Sequence, residues 1–498
     1  MLPFVIDRAS VVPIAAQIAA GVRGFVADGA LEAGQSLPSS RRLGQQLGVA
    51  RGTVVSAYDQ LVSEGYLVTR AGGATRIHPD AARADGIERA SSNVKEPAVA
   101  VGESSQGRHR SQCARQDARK RPDAVDLMPG RRPAPVIDDA AWREAWRKAA
   151  TANRVDYSPR AAVAGLQELR LAIAEHLRLL RAMVVDPDSI IVTGGARDGL
   201  TLVLAGLEAA PVAVESPGYP GLRRVLQRRG VPVRETPVDG SGLIPAKLPR
   251  DSRAVLVTPN HLFPVGGSMP AARRMELLRH ASETGMLVIE DDFDSDFRHV
   301  GAPVPTLFDL HSDAVIHVGT FSQVLTAEAG VGYVILPDDA RDALLAAAED
   351  LGPSTPAIAQ RAVADFLHSG GLRRRITRRR RALIRRRDLL LQELAGLPVD
   401  MISGAHAVVR THGAGSVPAV IERCESRGVL VGDLSAYWSG GIRESPAPDA
   451  EEGIVLQCDD TADDDLLFAL RVIREALDDA SVTLARCEER DGWSEGCA

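Results

Sequence analysis

Seven short apolar runs, at 190–193, 212–215, 233–238, 254–259, 287–292, 314–318 and 331–336, set the tightest limit on how this chain folds. Each is bounded by polar or turn residues and reads as a buried strand. Amphipathic helical segments, such as 166–179 and 271–282, lie before and between them. This alternation predicts an α/β domain around a mostly parallel sheet. Ligands of such sheets sit beyond the carboxyl ends of the strands. The residues there are Gly194, Gly195, Ala196 and Arg197, then Pro217, Gly218, Tyr219 and Pro220, then Asn260 and His261. Asp291 and Asp292 follow, and Thr320, Phe321, Ser322 and Gln323 complete the set. Glycine-rich backbone, an aromatic plate, a buried carboxylate and hydroxyls together suit a phosphorylated aromatic cofactor. In the stretch 319–323 two hydroxyls and free backbone N–H groups make an anion cradle. A polar loop with no ligand accounts for the same five residues.

The first 80 residues have a different pattern. Positions 13–27 read as a helix with Ile14, Ile18, Val22, Phe25 and Val26 on one face. Ser39 is placed to cap a second, short helix that turns Leu43 and Leu47 inward and ends at Gly48. A third helix opens near Arg51 and buries Val54, Ala57, Tyr58 and Leu61. Two short strands, 66–69 and 74–77, are joined by Ala71, Gly72 and Gly73. This is the order of a winged helix-turn-helix, whose third helix enters the DNA major groove. Arg41, Arg51 and Thr53 stand where they reach phosphates or a guanine edge. A three-helix protein-interaction module is the competing reading. Residues 1–80 hold seven arginines, no lysine and six acids. One copy is therefore barely basic, and dimerisation is expected to matter for affinity. From 81 to 125 no periodicity holds, and the stretch reads as a flexible, basic linker.

The formal net charge of the 498 residues is −6, so nucleic-acid contact must come from a local patch. Five cysteines without CxxC spacing argue against a disulfide scaffold or a cysteine-based zinc site and suit a reducing cytoplasm. No signal peptide is expected at the N-terminus, and no apolar run is long enough for a membrane span.

Leu37-Pro38-Ser39-Ser40-Arg41, then 47–54 and Glu64-Gly65-Tyr66-Leu67 resemble the GntR-type winged-helix signature. The resemblance implies operator DNA as partner and Ser39, Arg41, Arg51, Thr53, Gly72 and Gly73 as its contacts. The spacing of 215–221, 290–298 and Gly319-Thr320-Phe321-Ser322 before Gly332-Tyr333 resembles a fold-type I aminotransferase. Together the two parts resemble the MocR family of transcriptional regulators. The implied architecture is a winged helix over 1–80, an aminotransferase-like large domain over 126–350 and a smaller α+β domain over 351–485, with a tail from 486. The implied cofactor is pyridoxal phosphate, held in that family by a lysine after the serine. Here that position is Gln323, and an amide nitrogen forms no Schiff base. Phe293 stands where a tyrosine meets the phenolate oxygen, Leu262 where a glutamine follows the histidine, and Gly330 where an arginine meets the phosphate. Glu328 adds a negative charge, while Asp291 and Tyr219 keep the ring-binding positions.

The expected pocket is thus Gly195, Ala196, Tyr219, Asp291, Phe293, Thr320, Ser322 and Gln323, without catalytic or metal-binding residues and with pyridoxal phosphate at most non-covalent. Arg443 is a loose candidate for a substrate-carboxylate clamp. The expected function is a homodimeric, cytoplasmic DNA-binding regulator whose second domain serves dimerisation, or senses a small effector. A cofactor-responsive regulator and an active aminotransferase are the alternatives. The segment 373–387 holds ten arginines and is expected to be a surface helix of the small domain rather than a DNA contact.

Overall fold

The computed structural model describes residues 6–8, 14–27, 30–32, 34–63, 66–68, 75–78, 124–130, 137, 139–151, 163–207, 210–298, 305–400, 404–411, 416–438, 452–459 and 461–491. The wing glycines Gly72 and Gly73, Arg443 and nearly all of the expected linker lie outside these residues.

The N-terminal unit has three helices, α1 (Ile14–Ala27), α2 (Ser40–Leu47) and α3 (Arg51–Ser63). An antiparallel pair follows, β1 (Leu67–Val68) with β2 (Arg76–Ile77). Ser39 caps α2 by accepting from the Arg42 amide, and Gly48 ends it in the left-handed conformation that glycine adopts at least cost. Ile18, Val22, Leu43, Val54, Ala57 and Leu61 form the core. The Tyr58 hydroxyl donates to the Pro38 carbonyl at 2.8 Å and so fixes α3 against the entry to α2.

The large sheet contains β4 (Ile190–Thr193), β5 (Val212–Ser216), β6 (Val233–Asp239), β7 (Gly242–Leu243), β8 (Ala254–Val257), β9 (Leu287–Asp292), β10 (Val315–Thr320) and β11 (Gly332–Ile335). Its order is β4-β11-β10-β9-β8-β5-β6-β7. β10, β9, β8, β5 and β6 run parallel, while β11 and β7 are antiparallel to their neighbours. The fold-type I expectation of a mostly parallel sheet holds. Residues of β4, β8, β10 and β11 are almost all buried, because helices cover both faces.

A four-stranded antiparallel sheet forms the smaller domain, from β12 (Val399–Asp400), β13 (His406–Arg410), β15 (Gly432–Asp433) and β16 (Gly453–Gln457). The helix Asp463–Asp491 packs here, with three acids in its first turn where the helix dipole favours them. It includes six residues of the expected tail, 486–491.

Packing moves two expected boundaries. β3 (Val125–Asp126) pairs in parallel with β14 (Val429–Leu430), and Leu127 lies in the small-domain core. The chain at 124–130 is therefore neither linker nor large domain. Conversely, Ala359, Val363, Phe366, Leu372, Ile376 and Leu383 share the large-domain core with Leu169, Ile173 and Val192. The apolar change falls inside the helix Gly371–Glu393, where Leu390 joins the small-domain core. That helix is not a plain solvated surface. Arg375 is buried and donates to the Val324 carbonyl at 2.5 Å. Arg380 holds the Asp296 carbonyl, Arg379 pairs with Asp459, and Arg386 donates to the Asp459 carbonyl.

Candidate functional site

The carboxyl ends of β4, β5, β9 and β10 converge as the alternating pattern requires. Gly195 caps the helix Ala196–Gly206 at φ 122°, a region glycine alone enters freely, and presents that helix N-terminus to the site. Gly332 matters for a different reason: a Cβ there would stand 2.6 Å from the Gly195 Cα, so glycine alone lets β11 pass this close. Thr320 and Ser322 lie on the same side: the Thr320 hydroxyl accepts from the Ser322 amide and donates to the Ser322 hydroxyl, at 3.2 Å each. Gln323 follows, half-buried, in the turn after β10. Tyr219 packs edge-on against Phe263, and its hydroxyl accepts from Arg197 Nη2 at 3.1 Å. Asp291 is 3% exposed, and its Oδ1 has no hydrogen-bond partner. Burial, then the charges of Asp292 and Asp294, raise its pKa well above the usual carboxylate range.

Arg181 and His406 escaped the sequence reading. Arg181 is buried against Asp292, which also accepts from Asn260 Nδ2 at 2.8 Å. Burial works against the Asp292 charge, but Arg181 and His317 outweigh it and hold the pKa at about 2. His317 meets Glu290 at 3.1 Å and stacks on Tyr333. His261 Nδ1 lies 2.6 Å from Asp294 and its ring 6.0 Å from that of His406. Phe293 lies against His261, Phe263 and His406 instead of carrying a hydroxyl into the site.

Glu215 accepts from the Thr258 amide and hydroxyl, yet burial pushes its pKa up to about 7. An unfolded glutamate ionises near 4.5, so the folded state holds this proton more tightly. Stability contributed at this position is full below pH ~4.5, falls as pH rises to about 7, and is flat above. The difference corresponds to about 3 kcal/mol. Glu215→Gln is expected to remove that slope and to gain stability over wild type at pH 8 but not at pH 4. Urea unfolding at the two pH values measures it; parallel losses in both proteins would contradict the assignment.

The N-terminal unit presents Arg41 and Arg51 as exposed side chains in the first turns of α2 and α3, with Thr53 half-buried beside them. The Ser39 hydroxyl is engaged in capping α2.

Neither expected half rests on local pattern alone. Residues 14–77 match the family described as bacterial regulatory proteins, gntR family, and residues 137–435 match aminotransferase class I and II. The chain is 40% identical over 481 residues to the HTH-type pyridoxine biosynthesis transcriptional regulator PdxR of Corynebacterium glutamicum, covering 96% of this chain and 98% of that protein. It is 30% identical over 394 residues to the probable rhizopine catabolism regulatory protein MocR of Rhizobium meliloti, covering 78% of each. The multiple substrate aminotransferase of Thermococcus profundus shares the fold, with a TM-score of 0.65 at 20% identity over 75% of this chain and 96% of that one. This chain belongs to the MocR-type transcriptional regulators, in which a GntR-family DNA-binding domain is joined to an aminotransferase class I and II domain.

Proposed function

We propose that this regulator reads operator DNA as a cytoplasmic homodimer, and that its aminotransferase-like domain works without a covalently held cofactor and without transaminase activity. One observation carries the second part. The whole chain has four lysines, Lys95, Lys120, Lys148 and Lys247. Of the two among the described residues, Lys148 pairs with Asp365 on the outer helices and Lys247 is exposed before β8. A Schiff base needs an amine, and the turn after β10 offers the Gln323 amide.

The site residues fit part of pyridoxal phosphate. The unpaired Asp291 Oδ1 suits a protonated ring nitrogen, Tyr219 offers a ring face, and the N-terminus of Ala196–Gly206 with Thr320 and Ser322 suits a phosphate. Such a ligand, when bound, would bring an aldehyde with no amine to meet it. The pocket is therefore read as an effector site that binds reversibly. Pyridoxal phosphate is the first ligand to test, favoured by the orphaned Asp291 oxygen.

The DNA half is tested at Arg41 and Arg51. Arg51→Ala is expected to weaken specific binding by about 1–3 kcal/mol if it reads a base edge, or to lower the salt slope by about 1 if it holds a phosphate. Arg41→Ala acts in the second way. Titrations of labelled operator at several salt concentrations separate the two. Unchanged affinity and slope in both variants would remove these residues from the DNA interface.

A further inference from the structure

His261, Asp294 and His406 form a cluster that the regulator reading leaves unused. His261 and Asp294 belong to loops beyond the large sheet, and His406 opens β13 of the small domain. They are 2%, 5% and 6% exposed. Each offers one ligand atom, and these atoms lie within 4.8 Å of one another. The Asp294 carboxylate engages His261 Nδ1 through both oxygens, at 2.7 and 2.6 Å. His261 Nε2 and His406 Nδ1 are both buried and have no hydrogen-bond partner.

Packing alone does not explain this arrangement. A core histidine normally satisfies its ring nitrogens, because a buried polar atom left unpaired is costly. Here two unpaired imidazole nitrogens occur in one cluster, beside a carboxylate that already fixes one ring. A carboxylate that holds the far nitrogen of a histidine sets the tautomer and raises the basicity of the nitrogen left free. Phe263 and Phe293 pack against the cluster and offer neither nitrogen a donor. Gly404, at φ 74°, lets the chain lie directly on His261 and Asp294, where any Cβ would collide with both. The strand carrying His406 is thereby brought against the large domain.

We propose that His261 and His406, with Asp294 as the supporting carboxylate, bind one divalent transition metal that joins the large and small domains. Imidazole nitrogen with carboxylate is a donor set that suits zinc and its neighbours in the first transition row. Water completes the coordination. The ion satisfies both orphaned nitrogens at once. It also ties β13 to the loops after β8 and β9, so the two domains are coupled through it. The site is independent of the DNA contacts.

The test uses the full-length protein stripped with chelator and titrated with cobalt(II) alone, then with zinc(II) as competitor. The expected result is one cobalt per chain, with the visible absorption of a low-coordinate nitrogen and oxygen site and no thiolate charge-transfer band. Zinc displaces it and raises the unfolding temperature. His261→Gln and His406→Gln each abolish the spectrum and the thermal shift, and Asp294→Asn weakens binding by about 10–100-fold. Circular dichroism of each variant reports whether it has folded. Absence of the spectrum in the wild type overturns the proposal, so a variant that fails to fold does not spoil the test. A thiolate band, or wild-type affinity in both histidine variants, also overturns it by placing the metal elsewhere.

Discussion

Arg274→Met is expected to cost about 4 kcal/mol of stability, because it strips four hydrogen bonds from a site water does not reach. Arg274 is 1% exposed. Its guanidinium donates to the carbonyls of Met269, Pro305 and Pro259, each at 2.8 Å, and to Asn260 Oδ1 at 2.9 Å. Methionine fills much of the volume but donates to none of the four acceptors; the Pro259 carbonyl keeps the Met269 amide, and each buried acceptor left unpaired costs about 1–3 kcal/mol. Losing the burial cost of the charge offsets part of this. The consequence reaches the site, since Asn260 also donates to Asp292 and precedes His261. Urea unfolding followed by the tryptophans, which lie outside the winged helix, reads the effect. A loss below about 1 kcal/mol would mean that the loop re-forms its hydrogen bonds without the arginine.

Placing a lysine at position 323 is expected to give covalent capture of pyridoxal phosphate only in part. In Gln323→Lys, reduction with borohydride after incubation with pyridoxal phosphate is expected to label weakly. Phe293 still offers no hydroxyl, and Gly330 still leaves the phosphate without a guanidinium. Gly330 has φ 56° with nothing within 4 Å of a Cβ, and Thr355 holds its carbonyl at 3.0 Å. An arginine there finds space but carries the left-handed strain of about 1–2 kcal/mol. A charge-assisted contact to phosphate is worth about 1.5–3 kcal/mol. The triple variant Gln323→Lys, Phe293→Tyr, Gly330→Arg is therefore expected to label more than the single one, by up to about 30-fold in affinity. Full labelling by the single variant would show that the other two positions matter little.

What the sequence revealed follows from distance along the chain. Apart from β6, the main strands of the large sheet are buried on both faces, so they write continuous apolar runs, and all seven runs contain observed strands. The caps at Ser39 and Gly48 act within a few residues and are equally visible. Where contacts are remote the reading failed. β10 was expected to end at Val318, yet it continues to Thr320. Gly319 and Tyr333 explain this, since the missing Cβ of the glycine leaves room for the tyrosine ring of β11. β3 is two residues long and carries no period, and only its partner 304 positions later identifies it. The arginines of Gly371–Glu393 look like a solvated face because their acceptors are mostly backbone carbonyls, which no composition reveals. The His261, Asp294 and His406 cluster exists only once β13 docks against the large domain.

The most direct test of a regulator working without covalent cofactor is made on the wild-type chain. The full-length protein is saturated with pyridoxal phosphate, reduced with borohydride, digested and mapped by mass, with DNA affinity measured before and after. The account predicts no phosphopyridoxyl group on any residue of the pocket, an unmodified peptide across Gln323, and specific DNA binding by the untreated protein. A stable adduct on a pocket residue, or DNA binding that appears only after the cofactor is fixed covalently, would contradict it.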